Sequence, residues 1–138
     1  MTRPSTPGGA IDRRPAALDR LGCYVLPGAA PDPRLGLDQA RAAESMGLGA
    51  VWIGERYDSK DLPTLASAIG QLTTRVRIGA AITHPFLRHP MVLASMGQTL
   101  QSLTGERFTL GFGRSADWRW NAYGVPSPTL RALGDTAD

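Results

Sequence analysis

The chain has few of the residues from which reactive sites are usually built. It has one cysteine, Cys23, so it cannot form an internal disulfide. That cysteine lies in an apolar run and reads as a packing side chain, which fits a reducing, cytoplasmic compartment. The two histidines, His84 and His89, have no carboxylate at ligand spacing, so no metal site is expected. No stretch approaches the roughly 18 apolar residues of a membrane span. No apolar segment follows Arg3, Arg13 and Arg14, so an ordinary secretory signal is not expected either. The net charge is only +3, and the arginines are scattered rather than gathered into a stripe with interleaved aromatics. Nucleic acid is therefore not an expected partner. No Ser-His-Asp, Cys-His or paired-carboxylate arrangement stands out.

What is present is ordinary globular composition, 42% hydrophobic and 20% charged, over 138 residues. Residues 1–20, rich in Thr, Pro, Gly, Ala and Arg without periodicity, read as a disordered leader. From residue 21 to 138 the pattern alternates strand and helix. Residues 21–26 read as a strand, and Asp32-Pro33 as the start of a helix carrying Leu37, Ala40, Ala43 and Met46, with Gly47 as its stop. Residues 50–53 are a second strand. Asp58 or Ser59 can cap a helix with Leu62, Leu65, Ala66, Ile69 and Leu72 on one face. Residues 76–82 are a third strand, and His89-Pro90 opens a helix with Leu93, Met96, Leu100 and Leu103. Residues 107–113 are a fourth strand. A polar segment with Trp118, Trp120 and Tyr123 follows, and a further helix begins near Pro128. Repeated βα units build a parallel sheet or barrel. The fold class is therefore α/β, with parallel βα units forming half of a TIM-type (β/α)8 barrel. A full barrel takes roughly 250 residues, and about four strands and three to four helices fit here.

In such folds chemistry sits at the C-terminal ends of the strands. That rule selects Leu26-Pro27-Gly28, Gly54-Glu55-Arg56-Tyr57, Ile82-Thr83-His84-Pro85 and Gly111-Phe112-Gly113-Arg114. Each holds groups able to bind a polar planar cofactor, and each has a plainer reading. Glu55 and Arg56 can be a rim ion pair, His84 a solvated turn residue, and Arg88 and His89 helix-start residues. The aromatics after the fourth strand either line a pocket or cover an edge. Gly111-x-Gly113 lacks the third glycine of a dinucleotide fingerprint, because position 116 is alanine.

Taken together, the runs at 24–28, 42–47, 51–56, 88–90 and 103–114 resemble the luciferase-like monooxygenase superfamily. Within it they are similar to oxidoreductases that use the deazaflavin coenzyme F420. The resemblance implies a βα barrel that binds a deazaflavin, or alternatively FMN, at the strand ends. It also implies hydride transfer between the ring and a small organic substrate. By position, it places Glu55 and Arg56 at the redox centre, with Arg56 where the family commonly has histidine. An arginine there is suited to stabilising an anionic reduced ring rather than to shuttling protons. The resemblance puts Ala81, Ile82, Thr83, Gly113 and Arg114 along the cofactor, with a cis peptide at Ala81-Ile82. The family's remaining strands would lie beyond Asp138. The expectation is thus a truncated oxidoreductase whose open sheet pairs with itself or with a complementing subunit. Two alternatives are a non-catalytic remnant or assembly subunit, and an FMN-dependent monooxygenase component.

Overall fold

The computed structural model describes residues 18–137. Four short strands, β1 (Gly22–Tyr24), β2 (Ala50–Ile53), β3 (Arg77–Ala80) and β4 (Phe108–Thr109), stand in chain order, and every neighbouring pair is parallel. Parallel neighbours need a crossover each time, and α1 (Arg34–Met46), α2 (Leu62–Leu72) and α3 (Pro90–Leu103) supply the three.

The register explains which face is buried. Cys23, Val51, Ile78 and Phe108 lie in one row across the sheet and point toward the helices. There they meet Ala40, Ala43, Leu62, Ala66, Ile69 and Leu100, so the apolar stripe of each helix closes one core. The next row, Tyr24, Trp52, Gly79 and Thr109, points to the opposite face. There the Trp52 indole lies flat over two glycines. A Cβ on Gly79 would sit 2.1 Å from its ring, and one on Gly22 2.5 Å from its Nε1.

Several boundaries differ from the sequence reading. Pro33, not Asp32, occupies the cap position of α1, while the Asp32 carboxylate accepts the Arg34 N–H at 2.9 Å. Asp61, rather than Asp58 or Ser59, caps α2 by accepting the Thr64 N–H at 3.2 Å. The preceding residues are held instead in a turn closed by the Arg56–Lys60 bridge. His89 caps α3 through Nδ1, and Gly47 ends α1 at φ 88°, both as expected. Strand four narrows after Thr109 to a single bridge between Thr83 and Phe112. The stretch expected to be a polar loop contains a short helix, α4 (Asp117–Ala122), and α5 (Leu130–Ala137) follows. No side chain caps α4, so the usual signal for a helix start is missing there. Of the expected leader, Leu18–Arg20 form one 3-10 turn, and residues 1–17 lie outside the described residues.

Glu44 ties α1 to the start of β3. Partial burial pulls its pKa up, but N–H groups of Val76, Arg75 and Thr74 donate to the carboxylate at 2.7–3.0 Å and hold it down at about 2. A depressed carboxylate pKa stabilises the fold above the unfolded-state value near 4.5, and the contribution is lost as pH falls toward 2. Solvent screens this site, so the expected size is about 1 kcal/mol. Urea titrations at pH 7 and pH 2.5 should show that Glu44→Gln narrows the difference between the two by about that amount.

Candidate functional site

The C-terminal ends of β2 and β3 bring a carboxylate, a hydroxyl and a guanidinium together. Glu55 leaves β2 with its N–H donating to the Ile82 carbonyl at 3.0 Å, which turns its side chain under the rim, where it is only 2% exposed. A carboxylate so placed needs partners. Its Oε1 accepts from the Leu62 N–H at 2.9 Å and from Arg88 Nη2 at 3.3 Å. Its Oε2 accepts from the Thr83 hydroxyl at 2.7 Å and from Arg88 Nη1. Four donors saturate the carboxylate, which ties the Leu62, Thr83 and Arg88 segments to the end of β2.

Arg88 is the residue that sequence reasoning missed. It lies just before α3, where a basic residue reads as part of the helix start. Its guanidinium instead reaches back to Glu55, to Asp61 at 2.9 Å, to Tyr57 Oη at 2.8 Å and to Thr83 Oγ1 at 3.1 Å. It also lies over the Tyr57 ring, 5.1 Å from the centroid. The one available signal was the buried acid itself, which requires a cation from elsewhere in the chain.

Arg56 does not join this cluster. Its guanidinium pairs with Asp58 at 2.9 Å, so the Glu55–Arg56 rim pair is not present. Lys60 turns inward and donates to the carbonyls of Leu26 and Gly28, and burial lowers its pKa. These bonds fasten the β1 rim, where Leu26 takes a left-handed φ of 49°.

The peptide between Ala81 and Ile82 is cis. The exposed ring of Tyr24 lies beside it and donates its hydroxyl to the Ala81 carbonyl at 2.7 Å. Gly54 and Gly113 flank it on either side. A Cβ on Gly113 would lie 2.0 Å from Ile82 Cδ1, and one on Gly54 3.4 Å from the Ala81 oxygen. Thr83 is fully buried and exchanges backbone bonds with Gly111 and Gly113. The structure therefore brings Ala81, Ile82, Thr83 and Gly113 together with Glu55. Arg114 is held apart: Nε donates to the Pro128 carbonyl at 2.6 Å, and Nη2 pairs with Asp117.

His84 is not a solvated turn residue. It is 2% exposed and packs edge-on against Trp120, with ring centroids 5.3 Å apart, and near Tyr57 and Tyr123. Burial lowers its pKa. The Gly113 carbonyl is close enough to oppose that shift, yet neither ring nitrogen has a hydrogen bond of acceptable geometry. Trp120 anchors α4 over this corner while Trp118 is exposed, so the aromatics divide between covering and solvent. Among the described residues, no group of three His, Cys, Asp or Glu side chains is placed to hold a metal, and no helix is long and apolar enough to cross a membrane.

The family model described as luciferase-like monooxygenase matches residues 16–135. Over 86 residues the chain is 28% identical to 5,10-methylenetetrahydromethanopterin reductase of Methanolobus tindarius, covering 62% of this chain and 26% of that protein. An uncharacterised Mycobacterium tuberculosis protein is 36% identical over 76 residues, covering 55% of this chain and 22% of that protein. Among solved structures, the coenzyme F420-dependent tetrahydromethanopterin reductase of Methanopyrus kandleri superposes with a TM-score of 0.70 at 27% identity. That match covers 76% of this chain and 30% of that one. The FMN-bound oxygenating constituent of 3,6-diketocamphane monooxygenase from Pseudomonas putida also gives a TM-score of 0.70. It covers 83% of this chain and 35% of that one at 21% identity, where the likeness shows the fold alone. The chain spans about a quarter of the length of the curated relatives it matches.

Proposed function

Because the chain belongs to the luciferase-like monooxygenase family, we propose that its strand-end rim is one side of an F420 site in an oxidoreductase acting on a small organic substrate. The observation that carries this reading is the saturated Glu55–Thr83–Arg88 cluster, set directly beside Ala81, Ile82 and Gly113. The solved reductase named for coenzyme F420 gives it direction.

The residues present suit a flat ring. Gly54 and Gly113 carry no side chains beside Ile82, whose own side chain lies over Gly113. The exposed Tyr24 ring adds an apolar plane alongside. A bound deazaflavin supplies a carbon that accepts or donates hydride. The chain's own residues do the rest. Ile82 and Tyr24 offer the contact face, and Glu55 fixes Thr83 and the Ile82 backbone. Arg88 holds Glu55 in place, its own charge offset by Glu55 and Asp61. Arg56 and Arg114, each engaged elsewhere, shape the rim loops. We place the protein in the cytoplasm, consistent with its single free cysteine.

The test is a titration of the purified chain with F420, followed by the coenzyme's fluorescence, with FMN as competitor. Saturable binding at micromolar concentration that FMN fails to displace is expected. A folded chain that binds neither coenzyme overturns the reading and leaves a non-catalytic subunit. Preferential FMN binding moves the protein to the flavin-dependent monooxygenases.

A further inference from the structure

Helix α4 is held in place by what it packs on rather than by its own sequence. At 6 residues it is too short to persist alone, and no side chain caps its start. A left-handed residue stands on either side of it, Ser115 at φ 65° and Gly124 at φ 70°. Serine is strained in that region, and a few such residues at element ends are what a hinge requires. The anchor is Trp120, which is 1% exposed and meets His84 and Phe86 with ring centroids 5.3 and 6.0 Å apart. Just after the helix, Tyr123 lies edge-on to Tyr57 at 5.5 Å. Through these rings α4 covers the side of the rim where Tyr57 Oη accepts from Arg88.

His84 lies beneath that cover with both ring nitrogens buried and neither hydrogen-bonded. A neutral imidazole has one N–H to satisfy, whereas an imidazolium has two and a full charge. The surroundings offer little to such a cation. The Gly113 carbonyl is near and can serve one N–H. The carboxylate that acts on the ring is Glu55, already taken by Leu62, Thr83 and Arg88. The other charges that act on it are positive, Arg88 from the segment before α3 and Arg119 from α4. Arg119 in turn acts on Asp58, and Asp117 is paired with Arg114. Tyr57, its pKa raised to about 12 chiefly by burial, stays a neutral phenol.

We propose that α4 is a latch over this part of the rim, held shut on the neutral His84 imidazole and released when His84 takes a proton. In the closed state the proton would set a third cation beside Arg88 and Arg119 among aromatic walls. Release relieves this in one movement, because α4 carries Arg119 away and water reaches the ring. The sign follows from burial, which lowers the His84 pKa from the ordinary 6.5 while the latch is shut. The closed form therefore keeps its full stability above pH 6.5 and loses it as pH falls below that value. Over that window the ratio of open to closed rises up to tenfold per pH unit, until the closed-state ring itself is protonated. Tyr123 leaves with α4, so the Tyr57 edge of the Glu55–Thr83–Arg88 cluster is uncovered on the acid side.

NMR of the 138-residue chain from about pH 8 to about pH 4 tests the latch, in a window set by the histidine titration. His89→Asn serves as the background, since it leaves His84 as the single histidine and keeps a capping side chain at α3. The His84 ring should titrate below pH 6.5. In the same step the Trp120 indole N–H, assigned with Trp120→Phe, should move to an exposed position, while the far-UV spectrum keeps its main helices. His84→Phe fills the corner with a ring that takes no proton and should hold the latch shut across the whole range. If that variant does not fold, coincidence of the His84 and Trp120 midpoints in the background protein decides. A Trp120 signal unmoved while His84 is protonated overturns the proposal, as does a latch that opens in His84→Phe. So does a His84 ring that titrates above pH 6.5, or one that stays neutral throughout, because the rings would then hold the cation or never meet it.

Discussion

Arg88→Met should destabilise the protein by about 3–5 kcal/mol, the usual cost of removing one partner of a buried ion pair. The size follows from what is left behind. The Glu55 side chain is fully buried and that of Arg88 is 13% exposed, so water does not readily replace the lost guanidinium. Methionine fills much of the volume, which leaves the uncompensated charge as the main term. Tyr57 Oη, Thr83 Oγ1 and Asp61 each lose a donor as well. Arg88→Lys should fall between, because an ammonium keeps the charge but cannot serve this many acceptors with a planar fork. Adding Glu55→Gln to Arg88→Met should recover most of the loss. The amide oxygen can still accept from Leu62, and the charge is gone. Urea unfolding of the wild type, Arg88→Met, Glu55→Gln and the double variant measures the coupling directly. A loss below about 1 kcal/mol for Arg88→Met would mean that solvent reaches Glu55 and that the cluster is a surface pair.

This cluster also marks how far the sequence could be read. The βα order was legible because α1, α2 and α3 each carry an apolar stripe and each strand between them is short and mostly apolar. The second strand, Ala50–Ile53, the stop at Gly47 and the start at His89-Pro90 follow from local chemistry that tertiary contacts do not override. The α2 cap was misplaced because Asp58, Ser59 and Asp61 all have capping side chains. The choice fell to the turn that Arg56 and Lys60 close. Helix α4 was invisible because it is held by tertiary contact: Trp120 packs on His84 and Phe86, and its indole N–H donates to the Arg114 carbonyl. At the rim, Glu55 could be picked by its place after a strand, but its true partner lies 33 residues away. Adjacent opposite charges such as Glu55 and Arg56 invite pairing on paper. Following a strand, successive side chains point to opposite sides, and Arg56 finds Asp58 instead. The cis peptide at Ala81–Ile82 could be placed only by family resemblance, since nothing in local composition marks it.

Gly111 and Gly113 stand two residues apart, yet substituting them should have opposite consequences. In Gly111→Ala the new Cβ would lie 2.3 Å from the Ala80 carbonyl oxygen, a backbone atom of β3 that no rotamer change can move. The β3–β4 contact must open, weakening the Thr83 N–H bond to the Gly111 carbonyl at 2.9 Å. A loss of about 1–3 kcal/mol in urea unfolding is expected, as for other overpacked sites. In Gly113→Ala the atoms met are the ends of a side chain, Ile82 Cδ1 at 2.0 Å and Cγ1 at 3.1 Å. Ile82 can turn aside, so stability should change by less than about 1 kcal/mol. Turning aside destroys the flat face between Gly54 and Gly113, and F420 affinity should fall at least tenfold, or about 1.4 kcal/mol. The two variants thus separate a glycine kept for the sheet from one kept for a ligand. Wild-type affinity in Gly113→Ala would mean that the ring does not lie on Ile82, whatever the fate of the fold. An equal loss of stability in both would mean that Ile82 is as fixed as the backbone beneath it, and that Gly113 serves packing alone.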